Sequence, residues 1–454
     1  MTTSTGPSIA GPRIAVPIAV LALAIAASVQ LIGQLKINVG IGSLVIFPMV
    51  WGLLAGLVLS VQKIKPIPMK LQKAASALAA AAVMLLVARL AFDIGPSLPK
   101  LIHAGPALLL QETGHMLGTI VLALPLAVLL RMGKATVGAT FSIDRESAFA
   151  MVSNRFGADS DQYRGVLAMY VFGTLFGALY ITLVTSIVAN WKIFDPLALA
   201  MGAGVGSGSM MAASAASIVA AYPADKDAIL GMAAVSNLIT SLLGVYVGIY
   251  VALPLADRFY RFLTRNRSLV AVSETVLVGQ TGSGTASGAA PAVDDDNASF
   301  REEVAESTAH VAIPLRLSLS VLAVLGLATA FVAAKGFSWE IVGGYTVMIA
   351  LLLAGTALEK VTKKVSAIIW VTTIGAYISS PWSPLAEPLH RLVGSVDFLS
   401  ITTIVLTLAG LSLGKDFSLL RRIGWKIIPV GLVAITASFL LSSLIAEFTL
   451  GFWR

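Results

Sequence analysis

The sequence predicts an all-α, polytopic membrane protein of about ten or eleven transmembrane helices, in two related halves, with a glycine-rich re-entrant hairpin in the first. Three observations carry that expectation. Of the 454 residues, 57% are hydrophobic and 12% charged, with a mean hydropathy of +0.89. Apolar runs of about the 20 residues a spanning helix needs recur along the chain, separated by short basic clusters. Between two of these runs, Met201–Ser217 reads M-G-A-G-V-G-S-G-S-M-M-A-A-S-A-A-S, with glycine at 202, 204, 206 and 208.

The composition also excludes functions. A net charge of +8 raises nucleic acid as a partner, but the cations sit in loops between apolar runs, as in cytoplasmic loops, so none is expected. The chain has no cysteine, which removes disulfides, thiolate metal sites and a cysteine nucleophile. The four histidines, His103, His115, His310 and His390, are scattered without metal-ligand spacing, and there is no G-x-S-x-G elbow. An enzyme is not expected.

In order, spans are predicted at about Ile14–Gln34, Ile37–Val61 and Ala74–Phe92, with Lys63, Lys65, Lys70 and Lys73 marking an inner loop between the second and third. Arg13 before an apolar run has the look of a signal peptide, but no convincing cleavage site follows, so the run reads as a retained span. Ile94–Gln111, broken by Gly95, Pro96, Pro99 and Pro106, reads as an external amphipathic or partly re-entrant piece. A span at about Gly114–Leu130 ends at Arg131 and Lys134. The polar stretch Ala135–Tyr163 then connects to a span at about Gly165–Asn190. After the glycine run, a span at about Ala228–Ala256 exits into Asp257, Arg258, Arg261, Arg265 and Arg267. With both flanking basic clusters inside, the glycine run must begin and end outside, which favours a hairpin over a crossing.

Gln280–Ser299 is Gly/Ser/Ala-rich and then acidic, the composition of a flexible linker. Its G-S-G-T-A-S-G lacks the lysine of a P-loop. Further spans follow at about Val311–Ala334, Trp339–Leu358, Val365–Ser380, Phe398–Leu413 and Ile427–Leu450. The expected organisation is a membrane half over 1–256 containing the hairpin at 195–221, a cytoplasmic loop and linker over 257–310, and a second half over 311–454. Three short matches in the same order support a duplication: Ile14–Pro17 with Val311–Pro314, Leu53–Gly56 with Leu352–Gly355, and Thr119–Leu124 with Thr403–Leu408.

The glycine run is the first candidate site. Each glycine costs about 1 kcal/mol against alanine inside a helix, and irregular backbone at membrane depth is tolerated only where it lines a cavity or packs within protein. Backbone groups of Gly202, Gly204, Gly206 and Gly208, with the Ser207 and Ser209 hydroxyls, are therefore candidates for substrate binding. The competing reading is close helix packing through small residues. Asn237, Thr240 and Ser241 gather oxygens on one helical turn and are candidates for ion coupling, Asn237 and Thr240 as sodium ligands; interhelical hydrogen bonding is the alternative. Glu112 and His115, at i and i+3, pair a carboxylate with an imidazole and suit proton relay. A plain interfacial helix start with Glu112 near its N-terminus is the alternative. Asp397 holds a similar place in the second half. Arg89 and Asp93 are spaced to pair, and Trp339, Trp382 and Trp425 read as interface residues.

With Asp195-Pro196, the Gly202–Ser209 run, small residues through Ser217 and a following span carrying Gly231, Gly244 and Gly248, the chain resembles the sodium/glutamate symporter and 2-hydroxycarboxylate transporter group of secondary carriers, or a bacterial membrane family related to them at a distance. The resemblance covers Lys36–Arg258 and, more loosely, Trp339–Leu450. It implies a re-entrant tip that holds substrate beside a bound cation. Two departures stand out. The second half in that group ends with another small-residue hairpin and a further helix, whereas this chain stops at Arg454 soon after its last span. The halves in that group are inverted, whereas the loop charges here make the matched segments parallel.

The expected function is a secondary active transporter moving a small organic anion, of carboxylate or amino-acid type, coupled to sodium or protons. The alternatives are a passive channel or facilitator, and a membrane-embedded enzyme or assembly factor. The expected setting is the bacterial inner membrane, as a homodimer in the lipid bilayer, with no cofactor beyond a coupling sodium ion.

Overall fold

The computed structural model describes residues 11–39, 42–142, 147–157, 160–278, 311–363, 365–416 and 424–452. Among the described residues the fold is all-α apart from one short hairpin of strands. Eight helices are long and apolar enough to cross a membrane among the described residues, with shorter apolar helices at Pro48–Val61, Gly208–Ala221 and Ala367–Ile378. The protein is a polytopic membrane protein.

Helix α1 (Pro12–Ile32) starts with a proline at a position where its missing N–H costs nothing. The stretch expected as a second span divides. Strands β1 (Leu35–Val39) and β2 (Gly42–Ile46) pair antiparallel in the register Leu35 with Ile46, and only then does α2 (Pro48–Val61) begin. Apolar residues alternating with polar ones at Leu35, Ile37 and Val39 favour strand over helix. Helix α3 (Met69–His103) also corrects the expectation. It continues through Gly95, Pro96 and Pro99 instead of yielding an external piece, because packing on neighbouring helices outweighs the local breakers. Asp93 and Ile94 are buried there, and Gly95 lies against Ser379.

Helix α4 (Gly105–Gly118) runs through a π-helical turn (Thr119–Ala123) into α5 (Leu124–Leu129). The expected polar connection contains α6 (Ala135–Thr140) and α7 (Ser147–Phe156). A second long span joins α8 (Asp161–Phe172) to α9 (Ala178–Asn190) through a π turn. The hairpin is α10 (Pro196–Ala203) and α11 (Gly208–Ala221), followed by α12 (Lys226–Val247), another π turn and α13 (Leu253–Val278). Helix α13 thus continues well past Ala256. The expected linker at Gln280–Ser299 lies outside the described residues. The second half supplies α14 (Leu315–Ala333), α15 (Trp339–Thr362), α16 (Ala367–Ile378), the short amphipathic α17 (Ala386–Gly394), α18 (Phe398–Ser412) and α19 (Ile427–Phe452).

The two sequence halves interleave. Helix α18 packs on α2 and α3, α19 packs on α4 and α10, and α14 packs on α1. Hydrocarbon tails are as apolar as leucine, so helices in a bilayer associate through close packing. Gly114 and Gly118 allow this: a methyl added at Gly114 would sit 2.7 Å from the backbone of Leu441. Gly56 plays the same part between α2 and α18, 2.8 Å from the Thr407 carbonyl by the same measure.

One face gathers the basic loops, where Gly414 abuts the Ser60 carbonyl and Lys426 Nζ donates to the Arg131 carbonyl at 3.3 Å. On the opposite face Ser97 Oγ donates to the Asp227 carbonyl at 3.4 Å and Arg391 approaches Glu340 at 4.0 Å. Trp339, Trp382 and Trp425 are 77%, 68% and 66% exposed, in keeping with interface positions.

Candidate functional site

The hairpin starts and ends on one face. Lys192 Nζ donates to the Ala221 carbonyl and lies 3.6 Å over the Tyr222 ring, whose hydroxyl donates to the Phe194 carbonyl at 3.1 Å. Asp195 caps α10 by accepting from Leu197 N at 2.8 Å, and its own N–H donates to Glu447 of α19 at 2.7 Å. Between the half-helices, Gly204–Ser207 is unwound, and Gly206 takes φ +83°, a left-handed conformation that costs a side-chain-bearing residue about 1–2 kcal/mol.

The six residues assigned to substrate binding divide into two groups. Gly202, Gly204 and Gly206 are buried. A Cβ at Gly202 would meet Ser443 Oγ and the Phe439 carbonyl, and one at Gly204 would meet Ser236. Their lack of side chains lets α19 and α12 close on the tip. Ser207, Gly208 and Ser209 are half-buried, and the two hydroxyls lie 3.1 Å apart. Ser207 is the N-cap of α11 without a side-chain capping bond, so its hydroxyl is not committed to the helix backbone. These three residues present the helix N-terminus of α11, where backbone N–H groups favour negative charge.

Asn237 fastens the tip. Its Nδ2 donates to the Gly204 carbonyl at 2.7 Å and the Gly206 carbonyl at 3.1 Å, while Ser236 Oγ donates to the Met201 carbonyl at 2.7 Å. The tip carbonyls are therefore bound to protein, and the hydroxyls and N–H groups are what the tip offers. Thr240, one turn on, is fully buried and accepts from Gln111 Nε2 at 3.2 Å. Ser241 turns away: it is exposed, and its hydroxyl returns to the Asn237 carbonyl at 2.7 Å. Of the three ion-coupling residues expected on α12, Asn237 meets the tip through its amide nitrogen, Thr240 meets Gln111, and Ser241 is directed elsewhere.

Glu112 and His115 lie inside α4, eight and eleven residues along it, so the interfacial helix-start reading does not hold. Both are buried, at 5% and 6% exposure. His115 Nδ1 is hydrogen-bonded to Ser438 Oγ, and Glu112 Oε1 faces Gly244 of α12. They line one cavity of about 20 Å³ with Met116, Phe141 and Gly244, enough for a single water molecule. The π turn between α12 and α13 supplies Gly248 and Ala252 to its wall, and the π turn after α4 begins four residues beyond His115; such turns are frequent near functional residues.

Gln111, beside Glu112 in the sequence, ties α4 to α12 and α19. Besides its bond to Thr240, its carbonyl accepts from Ser442 Oγ at 3.1 Å. Two sets of bonds thus flank the tip: Asn237 and Ser236 hold its carbonyls, and Thr240, Gln111 and Ser442 join α12, α4 and α19 beside it, with Ser443 packed against Gly202. Sequence reasoning missed Gln111, Ser236, Ser438, Ser442 and Ser443. The signal was present: three serines at i, i+4 and i+5 mark one face of an apolar span. Gln111 Oε1 and Ser443 Oγ are buried without a hydrogen-bond partner among the described residues.

Asp397 caps α18, with Oδ2 accepting from Ser400 N at 3.2 Å. Arg89 and Asp93 pair at 2.6 Å, buried at 2% and 0%, and Arg89 Nε donates to the Val396 carbonyl at 3.0 Å. Among the described residues no cluster of three or more His, Asp or Glu is arranged to hold a metal ion.

No curated protein and no solved structure matches the chain. A family model does, over residues 27–262, which takes in the hairpin, α4 and α12 but stops short of the serines of α19. Covering more than half of the chain, that match places it in the family described as protein of unknown function (DUF3100).

Proposed function

We propose that this membrane protein is a secondary active transporter of a small organic anion, coupled to sodium or protons. The observation that carries this reading is the hairpin tip. An unwound, side-chain-poor segment is held between spanning helices, with the Ser207 and Ser209 hydroxyls and the α11 N-terminus left to meet a solute. Broken helices whose N-termini point at an anionic group are a recurring design in secondary transporters.

In this reading a carboxylate binds at Ser207–Ser209. Asn237 and Thr240 sit close enough to the tip network to sense its occupancy, through the Gly204 and Gly206 carbonyls and through Gln111. Glu112 and His115, ionisable groups within a spanning helix, are the candidates for proton coupling. Sodium coupling instead draws on the oxygens of Asn237 and Thr240. The resemblance to sodium/glutamate symporters and 2-hydroxycarboxylate carriers points the same way, and the protein would work as a homodimer in a bacterial inner membrane.

The experiment is uptake of radiolabelled mono- and dicarboxylates and acidic amino acids into proteoliposomes, with sodium and proton gradients imposed separately. Accumulation driven by one gradient, and lost in Ser207→Ala/Ser209→Ala, is expected. Equilibration that ignores both gradients indicates a passive facilitator, and no uptake of any anion overturns the transporter reading.

A further inference from the structure

A second cavity lies apart from the hairpin network and shares no residue with it. It has a volume of about 320 Å³ and opens among Arg131, Lys134, Arg164, Lys426 and Asp161. Among the described residues, four cations thus face one carboxylate, on the face where the basic loops gather. The cavity is built rather than incidental to long surface side chains. Its floor is the crossing of α6 and α8, where Gly165 packs against the Ala135 carbonyl and Gly138 against the Gln162 carbonyl. Its far wall is fixed by the hydrogen bond from Lys426 Nζ to the Arg131 carbonyl.

The surroundings identify the ligand class. Trp425, next to Lys426, is 66% exposed, as an indole at the headgroup level is. Leu129 on α5 and Ile428 on α19, two residues from Arg131 and Lys426 respectively, are 67% and 39% exposed. A cationic mouth is therefore flanked by apolar side chains that continue into the span. A soluble anion has no use for that apolar border, whereas a phospholipid places its phosphate in the first and its acyl chains along the second. Basic pockets between transmembrane helices on the inner side suit anionic headgroups.

We infer that the Arg131–Lys134–Arg164–Lys426 cavity binds the phosphate headgroup of an anionic phospholipid of the inner leaflet, tying α5, α6, α8 and α19 together at that face. Only the side chains of Lys134 and Lys426 need be changed to test it, and neither belongs to the hairpin network.

The test is native mass spectrometry of the full-length protein released from nanodiscs of dioleoyl phosphatidylglycerol and phosphatidylcholine in equal amounts, wild type against Lys134→Gln/Lys426→Gln. At about fivefold per cation near a membrane surface, the double variant should hold phosphatidylglycerol about 30-fold more weakly, with phosphatidylcholine binding unchanged. Equal retention by both proteins overturns the site. Soluble glycerol phosphate competing at the affinity of the lipid overturns the lipid assignment in favour of a free anion. The readout needs no transport, so failure of the transporter reading leaves it intact.

Discussion

Replacing Asn237 with alanine tests whether one side chain holds the hairpin tip in its unwound shape. The amide of Asn237 makes two hydrogen bonds, to the carbonyls of Gly204 at 2.7 Å and Gly206 at 3.1 Å. Each is worth about 0.5–1.5 kcal/mol net, so removing both costs the ordered tip about 1–3 kcal/mol. At tenfold per 1.4 kcal/mol, the opened tip becomes about 5- to 150-fold more populated. Hydrogen exchange of the full-length protein in nanodiscs, followed by mass spectrometry, reads this directly and needs no substrate. Peptides spanning the tip should exchange faster by that factor, while peptides from α1 stay as in wild type. Asn237→Asp keeps the shape and, when ionised, donates nothing, so it should do at least as much. Unchanged protection at the tip in both variants would refute the reasoning and leave the tip held by its own backbone.

Four further outcomes follow from the same geometry. Ser443→Ala should be neutral to slightly stabilising in thermal unfolding, since Ser443 Oγ is buried without a partner among the described residues. Gly202→Val should cost about 1–3 kcal/mol or more by pushing α10 off Ser443 and Phe439; equal stability of the two variants would contradict the packing described. Gly206→Ala should cost about 1–2 kcal/mol through its left-handed φ of +83°, seen as a lowered unfolding midpoint in detergent. For the buried pair, Arg89→Met or Asp93→Leu alone should destabilise by about 3–5 kcal/mol, because each leaves a charge uncompensated, and the double variant should recover most of that loss.

Much of the fold was legible because the bilayer imposes strong rules. Spacing of cations placed the loops, and loop parity required the glycine run to return to its own side, as the contacts between Lys192 and Ala221–Tyr222 bear out. The misreadings arose where tertiary packing overrode local preference. Pro96 and Pro99 argued for a break, yet α3 carries both to His103. Apolar content made Ile37–Val61 resemble one span, although its first part alternates and forms strands.

The site was legible in part. Four alternating glycines announced the tip, but which of them pack and which face outward depends on α12 and α19, far away in sequence. Glu112 and His115 were visible as ionisable residues near a span. That Gln111 beside them joins Thr240, and that Ser442 reaches back to Gln111, is a matter of which helices meet. No single-chain pattern encodes that pairing.

Transport through this site requires Ser207 and Ser209 to face water from within the membrane, and the absence of cysteine from the chain makes this directly measurable. Ser207→Cys and Ser209→Cys, introduced singly, would be exposed in membrane vesicles to a charged, membrane-impermeant thiosulfonate, with Val324→Cys as a control at a position 65% exposed on the outer surface of a spanning helix. Both tip cysteines should be modified while the control, facing lipid, is not. Tip cysteines as inert as the control would mean that no aqueous path reaches the hairpin, and the transport reading would fall with it.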